Sequence, residues 1–505
     1  MVDSLLADLL VARLRRDGTV PLQIQIANGI RDAVSDGTLK ASARLPSSRT
    51  LAAALEVSRI TVVTAYERLS ADGYLHTDST SGTLVSDKLP QSMKSAPRES
   101  TARTLSERGE QLIHAPAGIQ ERKGAFVPGV CDTDCFPYQI WRRIQNRYLG
   151  EQHADLMGYS NPGGYLPLRR ALSEYLCVSR AVRASPEQII VTMGTNQSID
   201  LCSRILADVG ELAYVENPCH WATPILLRAN GLEVEAIAVD SNGMKLERCL
   251  RRPRLVVTTP SHQFPMGVTL SDERRACLRA AAARWDAFVL EDDYDSEFRY
   301  DQRPLPSLQG DDENGRVILM GTLSKVMYPG MRLSYIVVPP DLVDSFAAAS
   351  LRLYRPGHLS LQAATADFIA DGNFSKHIRR MRDIYGARQS ELLRCLDHSF
   401  GDALETSRNA AGLHMTIRIR DLVDFDTTVS RSLEQGIYLR RLHTFNQGDP
   451  GFRDGFLLGF GGLDIEAIRP AVQTFARIVE SVISVPDSRN HPADASRQAQ
   501  MFSRP

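Results

Sequence analysis

Over residues 189–339 seven short apolar runs recur, separated by segments with helical spacing. The runs are IIVTM (189–193), LAYVE (212–216), VEAIAV (234–239), LVVTT (255–259), AFVLE (287–291), VILMG (317–321) and YIVVP (335–339). Each has the length of a strand rather than a helix, while 198–209 and 272–285 repeat their apolar residues at helical intervals. A strand apolar at consecutive positions buries both faces. A chain alternating such strands with helices satisfies this by laying the strands parallel and covering both sides of the sheet. The stretch therefore predicts an α/β fold with a mainly parallel seven-stranded sheet. Near 352–357 the alternation gives way to long helical segments, so a large part (about 119–350) is followed by a smaller α+β part (about 351–485).

A chain of 505 residues exceeds one core, and two stretches mark where it divides. Residues 87–118 are polar and rich in Ser, Pro and Arg, which reads as a linker after an N-terminal domain of 1–86. Residues 486–505 lack the apolar content to pack and read as a disordered tail. No apolar run approaches the roughly 20 residues of a membrane span. The leucines near the start, Leu5, Leu6, Leu9 and Leu10, are interrupted by Asp3 and Asp8 and followed by Arg13, Arg15 and Arg16, the charge order of an amphipathic helix rather than a secretory signal. A cytoplasmic protein without membrane contact is expected. Eight cysteines form no C-x-x-C pair and no zinc spacing, so reduced thiols and no metal site are expected.

Residues 21–85 hold a second pattern. Leu22, Ile26, Ile30 and Val34 fall on one helix face; LPSSRTLAAAL (45–55) follows, with Ser47 or Ser48 placed to cap a helix. In VSRITVVTAYERLSADGYL (57–75) Ser58 can cap, and Ile60, Val63 and Leu69 are predicted to face a core; SGTLVS (81–86) closes the module as a strand. Two short helices, a tight turn and a hairpin make a winged helix-turn-helix, whose second helix presents its N-terminal residues to the major groove. LPSSR (45–49) and VSRITV (57–62) resemble the signature of the GntR family of bacterial regulators. The resemblance implies a double-stranded DNA operator as partner, with Arg49, Ser58, Arg59 and Thr61 at the DNA and Gly82 in the wing. Arginine suits this role because its planar fork pairs with guanine or grips phosphate. The wing departs from the family at Asp78, an acid in place of a base. Residues 1–86 carry nine Lys/Arg and nine Asp/Glu, so a helical domain docking another protein is the competing reading. Arg44, Arg49, Arg59 and Arg68 nevertheless gather the positive charge where the groove would lie.

The polar residues that follow the predicted strands carry the chemistry, since ligands of open α/β sheets collect there. After IIVTM, Gly194, Thr195 and Asn196 open a helix whose free N–H groups favour a phosphate. After AFVLE comes EDDYDSEF (291–298), and after VILMG comes TLSKVMYPGMR (322–332). Together these supply what pyridoxal 5′-phosphate requires: Lys325 for the Schiff base with its aldehyde, Asp292 to keep the pyridine nitrogen protonated, and Tyr294 to donate to the phenolic oxygen. Gly194–Asn196, the Thr322 hydroxyl and Arg332 would hold its phosphate.

The pattern resembles fold-type I aminotransferases, and more closely the MocR/GabR branch of the GntR family, in which a winged helix is fused to an aminotransferase-like domain. The markers are YSNPGGYLPLR (159–169), VENP (215–218), TPSHQFPMG (259–267), EDDYDSEF and LSKVMYPGMR (323–332). The resemblance implies a head-to-tail homodimer in which Tyr159 completes the neighbour's site. His220 stands where the family stacks Tyr or Phe on the pyridine ring, a smaller group expected to titrate near neutral pH. In GFLLGFGGL (455–463) Leu457 aligns with the usual carboxylate-binding arginine, and Arg440 and Arg441 are candidate replacements. The reading is a regulator that uses the cofactor on Lys325 to sense an amine or amino-acid-like effector, or pyridoxal phosphate itself. A working aminotransferase carrying an accessory DNA module is the alternative, which Leu457 disfavours. A domain serving only dimerisation is disfavoured by the intact Lys325, Asp292, Tyr294 and Arg332.

Overall fold

The computed structural model describes residues 2–78, 82–87, 104–113, 124–150, 153–159, 162–300, 305–355, 357–407, 411–420, 422, 424–449 and 451–483. The predicted tail (486–505) and most of the predicted linker lie outside them. The chain divides into two compact units, Met1–Thr104 and Leu105–Pro505.

The first unit runs α1 (Val2–Arg13), α2 (Leu22–Ser35), α3 (Ser48–Leu55), α4 (Arg59–Ala71), β1 (Leu75–Asp78) and β2 (Gly82–Val85). One core joins Ile26, Ile30 and Val34 of α2, Leu51 and Leu55 of α3, Val62, Tyr66 and Leu69 of α4, and Leu75 and Val85 of the hairpin. Helix α1 adds Leu6 and Leu10. Its approach depends on Gly29, where a Cβ would come 2.5 Å from Leu10 Cδ2. The prediction for α4 is corrected in phase: its core face is Val62, Ala65, Tyr66 and Leu69, and Ile60 is 73% exposed. Two residues of α-helix turn about 200°, so once Val62 faces inward Ile60 faces out.

In the second unit, α5 (Glu107–Ile113), α6 (Tyr138–Gly150), α7 (Ala154–Met157) and α8 (Leu166–Arg180) precede the main sheet. Its strands are β3 (Ile189–Thr192), β4 (Leu212–Asn217), β5 (Glu233–Asp240), β6 (Gly243–Met244), β7 (Leu255–Thr258), β8 (Phe288–Asp293), β9 (Val317–Thr322) and β10 (Ser334–Val337). All seven predicted runs are strands, and the two-residue β6 makes the sheet eight-stranded, in the order β3-β10-β9-β8-β7-β4-β5-β6. The neighbours β9, β8, β7, β4 and β5 run parallel, whereas β10 is antiparallel to both β9 and β3. Helix α9 (Thr195–Leu206) follows β3, α10 (Ala222–Ala229) links β4 to β5, and α11 (Asp272–Trp285) links β7 to β8. Alternation along β3 explains the continuous apolar runs: Ile189 and Val191 pack with Leu168 and Leu172 of α8, while Ile190 packs with Ile199 and Leu206 of α9.

After β10, α12 (Val343–Leu353) packs on α9, and α13 (Leu359–Ala370) packs on α8 and α6. The smaller part then holds α14 (Asn373–Phe400), β11 (Leu404–Thr406), β12 (His414–Ile419), α15 (Phe425–Glu434), β13 (Arg440–Arg441), β14 (Phe456–Gly459) and α16 (Ile465–Ile483). Its antiparallel sheet has the order β11-β12-β14-β13. The carboxyl ends of β3, β4, β7, β8 and β9 share one edge of the main sheet. Because β10 runs backwards, its amino end, with Arg332 just before it, comes to the same edge.

Candidate functional site

The four acids at the end of β8 are sorted by their partners. Glu291 accepts the backbone N–H groups of Leu308 and Gln309 at 2.9 and 3.1 Å. Asp293 takes Arg180 Nε at 2.8 Å, and Asp295 lies 3.1 Å from His262 Nδ1. Asp292 differs: its Oδ1 is buried without a hydrogen-bond partner. Burial pushes its carboxyl up to about 7, and the neighbouring Asp293, Glu216 and Asp295 push the same way. Such a group is costly unless a cation or a charged N–H donor meets it.

Lys325, in the turn after β9, donates from Nζ to the Gly129 carbonyl at 2.6 Å. Burial lowers its pKa, against the pull of Cys131, Asp295 and Asp292, and so raises the fraction of neutral, nucleophilic amine. Nearby, Gly194 caps α9 with φ +124°, and a Cβ there would lie 2.8 Å from Arg332 Nη2. Arg332 itself holds a left-handed φ of +50°, a strained backbone that sets its guanidinium against the start of α9. Thr195 and Asn196 contribute the first N–H groups of that helix, which have no acceptor within it. Thr322 Oγ1 accepts from Ser334 Oγ at 2.9 Å and from the Ser324 N–H at 3.2 Å.

His220 follows β4, its ring centroid 5.4 Å from Trp221 and 5.5 Å from Phe264. Burial, then the cations of Lys325 and Arg440, push its pKa down to about 4. The expectation of titration near neutral pH is corrected: a buried ring beside two cations stays neutral. Tyr294 Oη is 3.1 Å from His262 Nδ1, which lies 3.1 Å from both oxygens of Asp295. His262 stacks on His414 with centroids 5.0 Å apart. Roles for His262, Asp295, His414 and Gly129 were not read from the sequence. His262 and Asp295 sit inside the marker motifs, but the other two carry no local signal. Tyr159 stands apart, 84% exposed, with the Arg355 guanidinium 5.5 Å over its ring.

In the first unit, Ser47 and Ser58 cap α3 and α4, accepting the N–H groups of Thr50 and Thr61 at 3.1 and 3.2 Å. Arg59 Nε reaches Ser48 Oγ at 3.4 Å, which brings the two helix starts together. Arg44, Arg49, Arg59 and Ile60 are exposed. Thr61 is half-buried and its hydroxyl hydrogen-bonds Ser58 at 2.8 Å, so both residues also have a structural task. Gly82 holds φ +85°, and a Cβ there would lie 3.7 Å from the Arg44 guanidinium; Arg44 bridges to Leu84 of β2. The rest of the wing, 79–81, lies outside the described residues.

Residues 22–85 match the gntR family of bacterial regulatory proteins, and residues 132–453 match the aminotransferase class I and II family. The chain is 36% identical over 467 residues to the probable rhizopine catabolism regulatory protein MocR of Rhizobium meliloti, covering 91% of this chain and 94% of the relative. The chain is a MocR-type member of the GntR family. It is 31% identical to the pyridoxine biosynthesis regulator PdxR of Corynebacterium glutamicum (92% of this chain, 97% of the relative) and 30% to the regulator TauR of Rhodobacter capsulatus (91% and 97%). Among solved structures, the Thermus thermophilus α-aminoadipate aminotransferase LysN matches with TM-score 0.68 at 22% identity, covering 74% of this chain and 97% of that one. The kynurenine aminotransferase of Pyrococcus horikoshii gives 0.65 at 24%, covering 75% and 95%. These two likenesses show the fold.

This MocR-type protein is therefore a DNA-binding transcription regulator with an aminotransferase-like larger unit, whose cofactor is pyridoxal 5′-phosphate. The residues fit it. The unpartnered Asp292 Oδ1 suits the pyridinium N–H, and the close approach of Arg332 to Gly194 at the start of α9 suits a phosphate.

Proposed function

We propose that this regulator senses a small amine through pyridoxal phosphate held at Lys325, and that the amine's arrival changes how the winged helices engage the operator. The carrying observation is Asp292, a buried carboxyl with an unpartnered oxygen at the end of β8. The bound cofactor supplies an electrophilic carbon that an incoming amine can attack. The protein's own groups do the rest. Lys325, its proton affinity lowered by burial, would supply the neutral amine that holds the cofactor. Ionised Asp292 holds a proton on the ring nitrogen. Tyr294, backed by His262 and Asp295, donates to the phenolic oxygen. Neutral His220 covers a ring face, and Arg332 with Thr195, Asn196 and Thr322 grips the phosphate. Lys325 is assigned as the one covalent residue, while Arg49, Arg59, Ser58, Thr61 and Gly82 are assigned to the DNA.

An effector can act only by binding one arrangement of the protein better than another. Helix α5, the described segment next after the winged-helix unit, packs on α10, and α10 begins directly after His220 and Trp221. A shift of the stacking residues would therefore be felt by the chain that leads to the DNA reader. The exposed Tyr159 supports a head-to-tail homodimer in which it completes the neighbour's site, and the protein is assigned to the cytoplasm, where its operator lies. Among the described residues no helix is long and apolar enough to cross a membrane. The alternative of a working aminotransferase is disfavoured by Leu457, since orientation of the substrate carboxylate supplies much of the barrier reduction. The test is to add amines and amino acids singly to cofactor-loaded protein and follow its visible absorbance. A saturable shift that alters operator affinity without turnover is expected. Stoichiometric conversion of each amino acid to its oxo acid on a catalytic timescale would make the protein an enzyme.

A further inference from the structure

On the smaller sheet His414 opposes Gly459, and Thr416 opposes Leu457, across β12 and β14. Alternate residues of a strand point the same way, as do directly opposed ones, so His414 shares a face with Leu457. Leu457 stands in the place of a carboxylate-binding arginine and is fully buried with Leu442 and Phe445. The two arginines considered as replacements are engaged. Arg440 lies over the Phe445 ring at 5.1 Å and has a further partner, and Arg441 is held by Asp454 at 2.7 Å and by Asp426. His414 is different. Its ring is buried, with His262 stacked at 5.0 Å, Tyr294 nearly parallel at 6.3 Å and Phe264 edge-on at 5.3 Å. It hydrogen-bonds the backbone of Pro265. A proline has no N–H, so the carbonyl accepts and the histidine donates. The ring's Nε2 is buried without a partner, so the donor is the Nδ1–H. Burial, then His262 and Lys325, hold the ring's proton affinity well below that of an ordinary histidine and keep it neutral. A neutral imidazole with its proton on Nδ1 carries a lone pair on Nε2. The tautomer thus leaves a buried acceptor with no donor.

The cofactor has no donor to spare for it, since its ring N–H belongs to Asp292 and its phenolic oxygen and phosphate are acceptors. The Lys325 amine donates to the Gly129 carbonyl. We infer that His414 is a specificity-determining residue of the effector pocket, and that the effector is a small amine with a second hydrogen-bond donor, a hydroxyl or an amide N–H, which meets His414 Nε2. The inference rests on the sensor reading above and names the ligand class of the same site. Its polarity is the reverse of a guanidinium's: an arginine offers donors to an anion, whereas an imidazole lone pair repels a carboxylate and attracts an O–H or N–H. Burial makes the choice selective. An acceptor removed from water is costly while unmet, so a pocket of this kind rejects the analogue that lacks the donor.

The experiment uses cofactor-loaded full-length protein and its visible absorbance as the binding signal. Donor-bearing 2-aminoethanol, 3-aminopropan-1-ol and β-alaninamide are titrated beside propylamine, butylamine, 2-methoxyethylamine and β-alanine, which match them in size but carry no second donor. At least one donor-bearing amine should bind on the order of 5- to 100-fold tighter than its matched partners. His414→Phe keeps a ring in the stack and removes the acceptor, so it should erase that preference, with borohydride fixation to Lys325 checking that the cofactor is still seated. His414→Gln gives up the ring but can still accept a hydrogen bond, so it should retain part of the preference. The reverse result, preference kept in the phenylalanine variant and lost in the glutamine variant, would mean that stacking and not the lone pair selects the ligand. Equal affinity across the panel in the wild type, or loss of the preference in both variants alike, overturns the assignment and leaves the sensor standing. Failure of His414→Phe to hold the cofactor would also overturn it, by making the histidine a support of the cofactor. If no amine of either kind moves the absorbance of the wild type, the sensor reading fails and the donor subsite with it.

Discussion

In the unit Met1–Thr104 the arginines offered to DNA are exposed, whereas in the unit Leu105–Pro505 the groups offered to the cofactor are buried or half-buried, apart from Asn196 and Arg332 at the phosphate end and Tyr159, which is offered to the neighbour's site. Exposed charges are screened by water and salt, so the first site draws its selectivity from where two capped helix starts stand. Buried charges meet little screening, and the second site draws its chemistry from displaced protonation: Asp292 raised to about 7, His220 lowered to about 4. A site of the first kind loses affinity contact by contact. One of the second kind fails when a single group is removed, because its neighbours are left uncompensated.

The largest effect should come from Lys325→Ala. Without the amine, borohydride should fix no cofactor to the chain and the absorbance response to amines should vanish, while basal operator binding remains. Loss of operator binding in that variant would break the separation of the two units. Asp292→Asn comes next. Removing a buried charged partner costs about 1.5–3 kcal/mol, so cofactor affinity should fall roughly 10- to 100-fold, as measured by equilibrium titration of the visible band. The pH dependence gives a sharper check. The folded pKa of Asp292, about 7, exceeds its ordinary 3.8, so between these values the cofactor-free fold binds a proton that the unfolded chain has released. Stability of the cofactor-free protein should therefore fall as pH rises from about 4 to 7, and Asp292→Asn should remove that loss. Cofactor affinity runs the opposite way and weakens as pH drops through 7, where Asp292 becomes neutral. Melting of cofactor-free wild type and Asp292→Asn across this range decides it; parallel curves would mean that Asp292 is ionised throughout.

The fold and the chemistry were legible to different depths. Consecutive apolar positions in IIVTM and VILMG forced strands covered on both faces, and Ile189, Ile190 and Val191 divide between the two faces in that way. Lys325, Asp292 and Arg332 could be read because each lies at or near a strand end on one edge of the main sheet and its type is chemically specific. Ile60 was misplaced because one apolar residue near a helix start does not set the phase, which Val62, Tyr66 and Leu69 fix by packing. The His262–Asp295 pair behind Tyr294 was missed because it joins loops 33 positions apart.

Arg59→Ala should weaken operator binding by about 1–3 kcal/mol, roughly 5- to 150-fold, in gel-shift or anisotropy titrations, with the cofactor spectrum unchanged. Unaltered affinity would remove Arg59 from the groove and shift the reading role to Arg49.

The smallest effect expected is also the one that separates structure from contact within the DNA reader. Ser58 accepts the Thr61 N–H at 3.2 Å and so fixes where α4 begins. Ser58→Ala should cost about 1 kcal/mol of the winged-helix unit's stability, seen as a lower melting temperature for that unit alone. Ser58→Asp can still accept the N–H, and its charge suits a helix start, so that unit should keep its stability. The same charge repels a phosphate. If the start of α4 meets DNA, the aspartate variant should melt like the wild type yet bind the operator more weakly than the alanine variant does. Should the aspartate variant instead hold the operator as the wild type does, the start of α4 lies away from the phosphates, and the first unit's selectivity must come from the α3 start and the wing.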